Sequence, residues 1–304
     1  MEVIRFDIHN LPAKKEGLAL ALGTFDGFHK GHQKLLVEAR FHAPAHSGAL
    51  LFSASPAEVL SGNKQSVLMG LDDKIRFLNR MGVDYAYVVE ANQDFFSLSE
   101  EQFVEDVLSN LGVELAVVGE DYRFGRGGEG DANWLSSKLK TRVIPLLKEG
   151  EEKISSSAIK EAIARGDIAK ANSMLGRAYE IHGKVVKGFQ NGTKIGFPTA
   201  NIDLDCPYVL PKPGVYFGLV YIHGLPHRSI VNVGCNPTVG LLKQAIVEAH
   251  LLDFEGDVYG KTAYVQFLAY HREERKFANL GELKEQLQLD REWARLQSED
   301  IALR

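Results

Sequence analysis

Cysteine is scarce in this chain: two residues, Cys206 and Cys235, among 304. Two thiols cannot make a disulfide framework, and their spacing matches no metal motif, so both are expected to be ordinary reduced thiols. No uninterrupted apolar stretch approaches the roughly 20 residues that a membrane-spanning helix requires. The opening MEVIRFDIHN also lacks the apolar centre of a secretion signal. Together these absences predict a cytoplasmic protein with no membrane attachment. Positive charge is not in excess either: the net charge is −5 and the pI near 6.1. That argues against a non-specific nucleic-acid surface and leaves only local basic sites for phosphate. No internal repeat or low-complexity tract is present, and nothing implies an obligate protein partner. With 45% hydrophobic and 25% charged residues, the chain has the length and composition of about two soluble globular domains that take small-molecule substrates.

The pattern along the chain divides it in two. Met1 to Phe6, Gly48 to Ser53, Asp84 to Glu90, Val113 to Gly119 and Thr141 to Leu147 read as strands, while Leu71 to Met81 and Ser97 to Leu111 read as helices. Apolar strands alternating with helices predict a parallel sheet covered on both faces, with ligands at the carboxyl ends of its strands. From about Ala178 the helices give way to short alternating runs such as GVYFGLVYIHGLPHRSIVNVG, with a turn at His223 to Pro226. The expected domains are 1–176 and 177–304. The first ends in two short helices, SSSAIKEAIARGD and IAKANSMLG. The second closes on a helix from Asn279 to Arg295, whose Leu280, Leu283, Leu287 and Leu289 form the stripe expected to pack on the β-domain.

The most informative stretch is LALALGTFDGFHKGHQKLL, Leu18 to Leu36. Its first part reads as a buried strand and its last as an amphipathic helix; between them Gly23, Gly27 and Gly31 let the backbone turn and approach a ligand closely. A helix N-terminus offers unpaired N–H groups and a positive dipole end, which makes this an anion site. His29 and His32 stand three apart at that end, so both rings can serve one bound group, such as a triphosphate losing pyrophosphate. Asp26 capping the helix beside two ordinary histidines is the plain alternative, and no third ligand at zinc spacing supports a metal there. Downstream, VGEDYRFG (Val118 to Gly125) leaves a strand at the same sheet edge, bringing Asp121 and Arg123, and Gly125 to Gly130 with Arg126 forms a loop able to close over a ligand. Ile154-Ser155-Ser156-Ser157 opens a helix that carries Lys160 one turn in, a second place for phosphate oxygens.

In the second half, Gly183, Gly188, Gly192 and Gly196 precede Phe197-Pro198-Thr199-Ala200-Asn201. Read from the residues alone, this is either a glycine-rich cover over phosphates, followed by a hydroxyl and an amide suited to a hard cation, or a plain glycine-rich hairpin. Glu248 stands in an alternating strand, where Val247, Ala249 and Leu251 face one way and Glu248 and His250 the other.

GTFDGFHKGH resembles the G-x-F-D-x-x-H-x-G-H signature of the nucleotidyltransferase superfamily. With VGEDYRFG and ISSSAIK it is similar to the adenylyltransferase module of the bifunctional prokaryotic riboflavin kinase and FMN adenylyltransferase family, the bacterial FAD synthetases. GFPTAN, LPKPGVY, Asn232-Val233-Gly234 with Pro237-Thr238, VEAHLLDF, DVYGK and Arg272-x-Glu274-x-Lys276-Phe277 resemble that family's kinase module, so the likeness covers almost the whole chain. It departs from the family at Lys160, where an arginine is usual, and at Ser55, where a histidine is usual. The resemblance implies a Rossmann-like α/β domain followed by a small antiparallel β-barrel with a C-terminal helix. It implies riboflavin and ATP giving FMN in the barrel, then FMN and ATP giving FAD and pyrophosphate in the first domain, with magnesium as the ion. The implied site residues are His29 and His32 as catalytic groups, with Gly23, Phe25, Asp26, Gly31, Asp121, Arg126, Ser155, Ser156, Ser157 and Lys160 around ATP. In the barrel they are Gly183, Gly188 and Gly196 at phosphate, Thr199 and Asn201 at the metal, and Glu248 as catalytic base. Two other readings stay open: a chain with the kinase step alone, suggested by Ser55 and Lys160, and a non-enzymatic flavin-binding protein on the same folds.

Overall fold

Leu18–Ala21 forms strand β2 with all four side chains buried, as expected of a strand covered on both faces. The computed structural model describes residues 1–187, 199–236 and 244–299. Around β2 lie β1 (Glu2–Phe6), β3 (His46–Phe52), β4 (Tyr85–Val89), β5 (Val113–Gly119) and β6 (Thr141–Ile144), in the order β1–β4–β3–β2–β5–β6, every pairing parallel. Side-chain size in β2 differs between its two faces. Leu18 and Leu20 join one core with Leu50, Val107, Leu108 and Leu135. Ala19 and Ala21 face the other, where helix α1 (Lys30–His42) brings Leu35, Leu36 and Ala39, and helix α2 (Leu71–Met81) brings Phe77 and Leu78.

Helix α2 spans the limits that its sequence predicts, between Gly70 and a left-handed Gly82. The helix expected from Ser97 to Leu111 is interrupted. Ser97 closes a short helix Gln93–Phe96, Ser99 caps the next at Gln102, and Phe103–Leu108 adopts π-type turns before Gly112 ends the run. Strand β6 stops at Ile144, short of the expected Leu147, because Pro145 has no N–H for the ladder.

The chain packs as two compact units, 1–156 and 157–304. The second begins with helices α3 (Ser156–Arg165) and α4 (Ile168–Leu175), the pair that the sequence pattern groups with the first domain. Asn172 ties α4 to the barrel: its amide donates to Phe267 O at 2.9 Å, and its oxygen accepts from Tyr179 N at 2.7 Å. The barrel is a closed antiparallel ring of β7 (Tyr179–Val186), β8 (Ala200–Leu204), β9 (Gly214–Ile222), β10 (Leu225–Asn236), β11 (Gln244–Leu251) and β12 (Thr262–Arg272). Around the ring the order is β7–β8–β11–β10–β9–β12. The β9–β10 turn is only His223 and Gly224, both at positive φ (53° and 78°), and Pro226 already lies in β10 opposite Tyr221.

The C-terminal helix α5 (Leu280–Leu296) does not use the leucine stripe as expected. Leu280 and Leu289 are 58% and 59% exposed, whereas the buried residues are Asp290 and Ala294. Ala294 and Trp293 pack on Val215, Phe217 and Leu219 of β9, so β9 is buried on both faces. A polar anchor replaces the leucines: the Arg272 guanidinium grips the Asp290 carboxylate at 2.9 and 2.6 Å. Arg228 caps the helix end on Ala294 O and Gln297 O at 2.8 and 2.7 Å.

Candidate active sites

The loop after β2 holds a backbone that side chains resist. Phe25, Gly27 and Phe28 have φ of 49°, 85° and 42°, and left-handed backbone costs a non-glycine residue about 1–2 kcal/mol. Both phenyl rings are fully buried and stack at 5.0 Å, and Phe28 stacks on Phe77 at 4.8 Å. Burial of a phenylalanine side chain contributes about 1.5–3 kcal/mol, so packing outweighs the strain and holds the loop in one shape. At Gly27 a Cβ would stand 2.7 Å from the Leu68 side chain, which leaves glycine as the residue that fits.

This shape sets the histidines. Asp26 does not cap α1; its carboxylate accepts the Leu68 N–H at 2.8 Å, and its carbonyl accepts the Ser156 hydroxyl at 2.7 Å. His29 is the N-cap, its Nδ1 accepting the His32 N–H at 3.4 Å. With Nδ1 accepting, the His29 Nε2 is the ring nitrogen left to donate. The two rings stack at 3.7 Å, and Gly31 leaves room for the first, since a Cβ there would lie 3.1 Å from it. Burial, with the His29 ring and the Lys74 ammonium beside it, holds the His32 pKa well below its ordinary range, so this ring is neutral at pH 7. Among the described residues its buried Nδ1 has no hydrogen-bond partner. Two stacked imidazoles at the positive end of α1, one with a nitrogen that has no partner among the described residues, suit an oxyanion. Lys74, which also donates to Thr24 O at 3.4 Å, is a neighbour that sequence spacing does not reveal, because it stands 50 positions after Thr24.

Strands β2 and β5 are adjacent and parallel, and the chain order reverses between them, which is where sheets of this kind bind ligands. The turn after β5 therefore reaches the same edge as the histidines, along with Gly23. Within it Asp121 pairs with Lys153. Arg126 is tied down, its backbone N–H on Leu98 O at 2.8 Å and its Nε on Ser97 O at 3.0 Å, so the glycine-rich loop is anchored to residues 97–98. Ser155 is half-buried just before α3; Ser157 and Lys160 lie on α3 within the second unit. Ser55 caps the short helix Pro56–Ser61 by accepting Glu58 N at 3.1 Å.

The barrel's polar row is assembled by register. Asn201 of β8 pairs with Glu248 of β11, and Glu248 pairs in turn with Asn232 of β10. Directly opposed residues share a face, and their neighbours Val247, Ala249, Val231 and Val233 are buried in the opposite direction. Thr199, two residues before Asn201, is half-buried and in phase with it. Burial first, and the charge of Glu274 second, raise the Glu248 pKa, as suits a group that must take up a proton. Asn232 and Glu274 are site residues that the sequence reading did not select: the Asn232 amide donates to Glu274 Oε1 at 3.1 Å. Asn232 did leave the signal that marked Glu248, one polar residue amid buried neighbours; Glu274 showed only as a position of the family-like Arg272-x-Glu274-x-Lys276-Phe277 run. Gly183 sits within β7, where a Cβ would stand 2.0 Å from Asp203 O, so close strand approach requires glycine there. Gly188 and Gly196 lie outside the described residues, as do Gly192, Phe197, Pro198, Pro237 and Thr238.

The riboflavin kinase family matches residues 175–297, and the FAD synthetase family matches residues 11–158. A curated relative from Bacillus subtilis (strain 168), a bifunctional riboflavin kinase/FMN adenylyltransferase, is 35% identical over 94% of each chain. The protein of the same description from Escherichia coli (strain K12) is 38% identical over 97% of each. A crystal structure from Streptococcus pneumoniae, described as a macrolide-efflux protein, superposes with a TM-score of 0.89 at 30% identity, covering 97% of this chain and 99% of its own. Among the described residues here, no helix is long and apolar enough to cross a membrane. With both halves matched in order and the relatives aligned nearly end to end, the chain belongs to the bifunctional riboflavin kinase/FMN adenylyltransferase family.

Proposed function

We propose that the chain makes FAD from riboflavin in two ATP-dependent steps, at one site in the barrel and another in the parallel-sheet domain. The domains are drawn at 1–176 and 177–304, and the enzyme works in the cytoplasm. In the barrel the 5′-hydroxyl oxygen of riboflavin attacks the γ-phosphorus of ATP, the bond to the β-phosphate oxygen breaks, and Glu248 takes the hydroxyl proton. The observation that carries this reading is the Asn201–Glu248–Asn232 row, a carboxylate with raised pKa flanked by two amides. The Asn201 amide on β8 and the Thr199 hydroxyl, just before that strand, are hard oxygen donors two residues apart. Such oxygen donors would suit an ion that also takes oxygens from phosphates and water, as magnesium prefers. Bound there, magnesium would neutralise charge on the transferred phosphate.

In the sheet domain a phosphate oxygen of FMN attacks the α-phosphorus of ATP and pyrophosphate leaves. His29 donates from Nε2 and, with His32, stabilises the charge that develops on the leaving oxygens, without a covalent intermediate. Gly23, Phe25, Asp26 and Gly31 shape the cradle. Asp121, Arg126, Ser155 and Ser156 are assigned to the ATP contacts there, and Gly183, Gly188 and Gly196 to those in the barrel. A chromatographic product assay tests the whole reading: purified protein with riboflavin, ATP and magnesium yields FMN and then FAD, and with FMN and ATP yields FAD. FMN without FAD from either start would leave only the kinase, with Ser55 and Lys160 as the first positions to restore.

A further inference from the structure

The same face of the barrel continues beyond Asn232. In register, Asn232 of β10 opposes Val215 of β9, and Val215 opposes Arg272 of β12, so Asn201, Glu248, Asn232, Val215 and Arg272 form one row across five strands. At the end of this row Arg272 holds Asp290 of α5 through two nitrogens, at 2.9 and 2.6 Å. Its Nη1 also donates to Glu273 O at 2.9 Å, fixing the chain as it leaves β12. The next residue, Glu274, turns back so that its carboxylate meets Asn232 beside Glu248. Gly234 leaves the space for it: a Cβ there would overlap the Glu274 carboxylate.

Asp290 is fully buried, and three polar side chains converge on its carboxylate. Its Oδ1 accepts from Arg272 and from Gln286 at 2.8 Å and lies 3.2 Å from His271 Nε2, while His271 stacks on Trp293 at 3.8 Å. Stability alone does not call for this arrangement, since a buried ion pair is often matched or bettered by apolar side chains of similar volume. A planar fork does something an apolar contact cannot: it fixes the direction in which the chain continues.

We infer that Asp290, acting through Arg272, is a positioning residue for riboflavin phosphorylation: the C-terminal helix sets where Glu274 stands against Asn232 and Glu248. This rests on the assignment of the Glu248 face to the kinase step. Asp290 touches none of the reacting atoms, so its effect is expected in turnover and not in affinity for ATP.

The test uses the full-length chain. Removing one charge leaves the other buried and unpaired and risks unfolding, so the decisive variant is the paired replacement Arg272→Met with Asp290→Leu, which keeps the volume and loses the fork. We expect a cooperative thermal transition and unchanged FAD formation from added FMN. Kinase kcat should fall about 10- to 100-fold, with KM for ATP within about twofold. Glu274→Gln should give a similar loss, and the combined variant no further loss, because the groups act through one another. A folded paired variant with wild-type kinase kcat, or losses that multiply when combined with Glu274→Gln, would overturn the inference. Glu248→Gln separates the two levels: if it retains full kinase activity, the assignment of the face fails and takes the inference with it. If it is inactive while the paired variant is fully active, only the positioning role fails.

Discussion

The two candidate sites are built in opposite ways. The histidine site is a run of ten residues, Gly23 to His32, folded on itself by three left-handed backbone positions and locked by two buried phenyl rings. The barrel site has no such run: Asn201, Glu248 and Asn232 come from three strands and meet because antiparallel register puts them in a row, and Glu274 joins them through the Asn232 amide. The first depends on local conformation and the second on pairing between distant strands. A local change should therefore disable one activity and leave the other, and the barrel should also be sensitive to changes at its far edge.

The largest effect expected is on Glu248→Gln, which removes the proton acceptor and keeps the shape. FMN formation should fall by about 100-fold or more, while FAD formation from added FMN is unchanged, as separate rate measurements of the two steps will read. His29→Ala is the mirror experiment. FAD formation should drop by about 100-fold, with FMN formation retained; equal loss of both would break the division. Because His29 also caps α1, thermal unfolding of the sheet domain should register about 1 kcal/mol of lost stability.

Gly27→Ala probes the loop without touching chemistry. Its φ of 85° and the nearby Leu68 side chain predict a loss of about 2 kcal/mol from backbone strain and overpacking, with weaker adenylyl transfer and an unaltered kinase. The smallest effect concerns pH. Burial pushes the Asp290 carboxyl up, but hydrogen bonds from Arg272 and Gln286 and the nearby positive charge outweigh it and leave the pKa below the usual aspartate value. A carboxyl depressed on folding adds stability above its unfolded pKa and loses it as pH falls through the folded value. Acid titration of stability should therefore be less steep in the paired Arg272→Met/Asp290→Leu variant than in the parent.

The contrast also explains what the sequence can convey. The parallel strands, α2, the change of texture near residue 178 and the histidine motif all depend on neighbours within a few residues, and the structure has them. His29 as the N-cap in place of Asp26 was not legible, because Asp26 is claimed by Leu68, 42 positions away. The π-turns at Phe103–Leu108 leave the same apolar spacing as an ordinary helix over so short a span. In α5 the leucines suggested the packed face, while the helix is held by Asp290, whose partner Arg272 belongs to another strand. Asn232 was visible in principle by the rule that found Glu248; Glu274 required the register and the turn that follows β12.

The most direct test of two independent sites in one chain is complementation. Glu248→Gln and His29→Ala proteins, each folded, are assayed alone and mixed, with riboflavin, ATP and magnesium. Neither alone should give appreciable FAD: the first stops at riboflavin and the second at FMN. The mixture should produce FAD, because FMN released by one is adenylylated by the other. A mixture that accumulates FMN without FAD, or either variant alone that reaches FAD at the parent rate, would contradict the account.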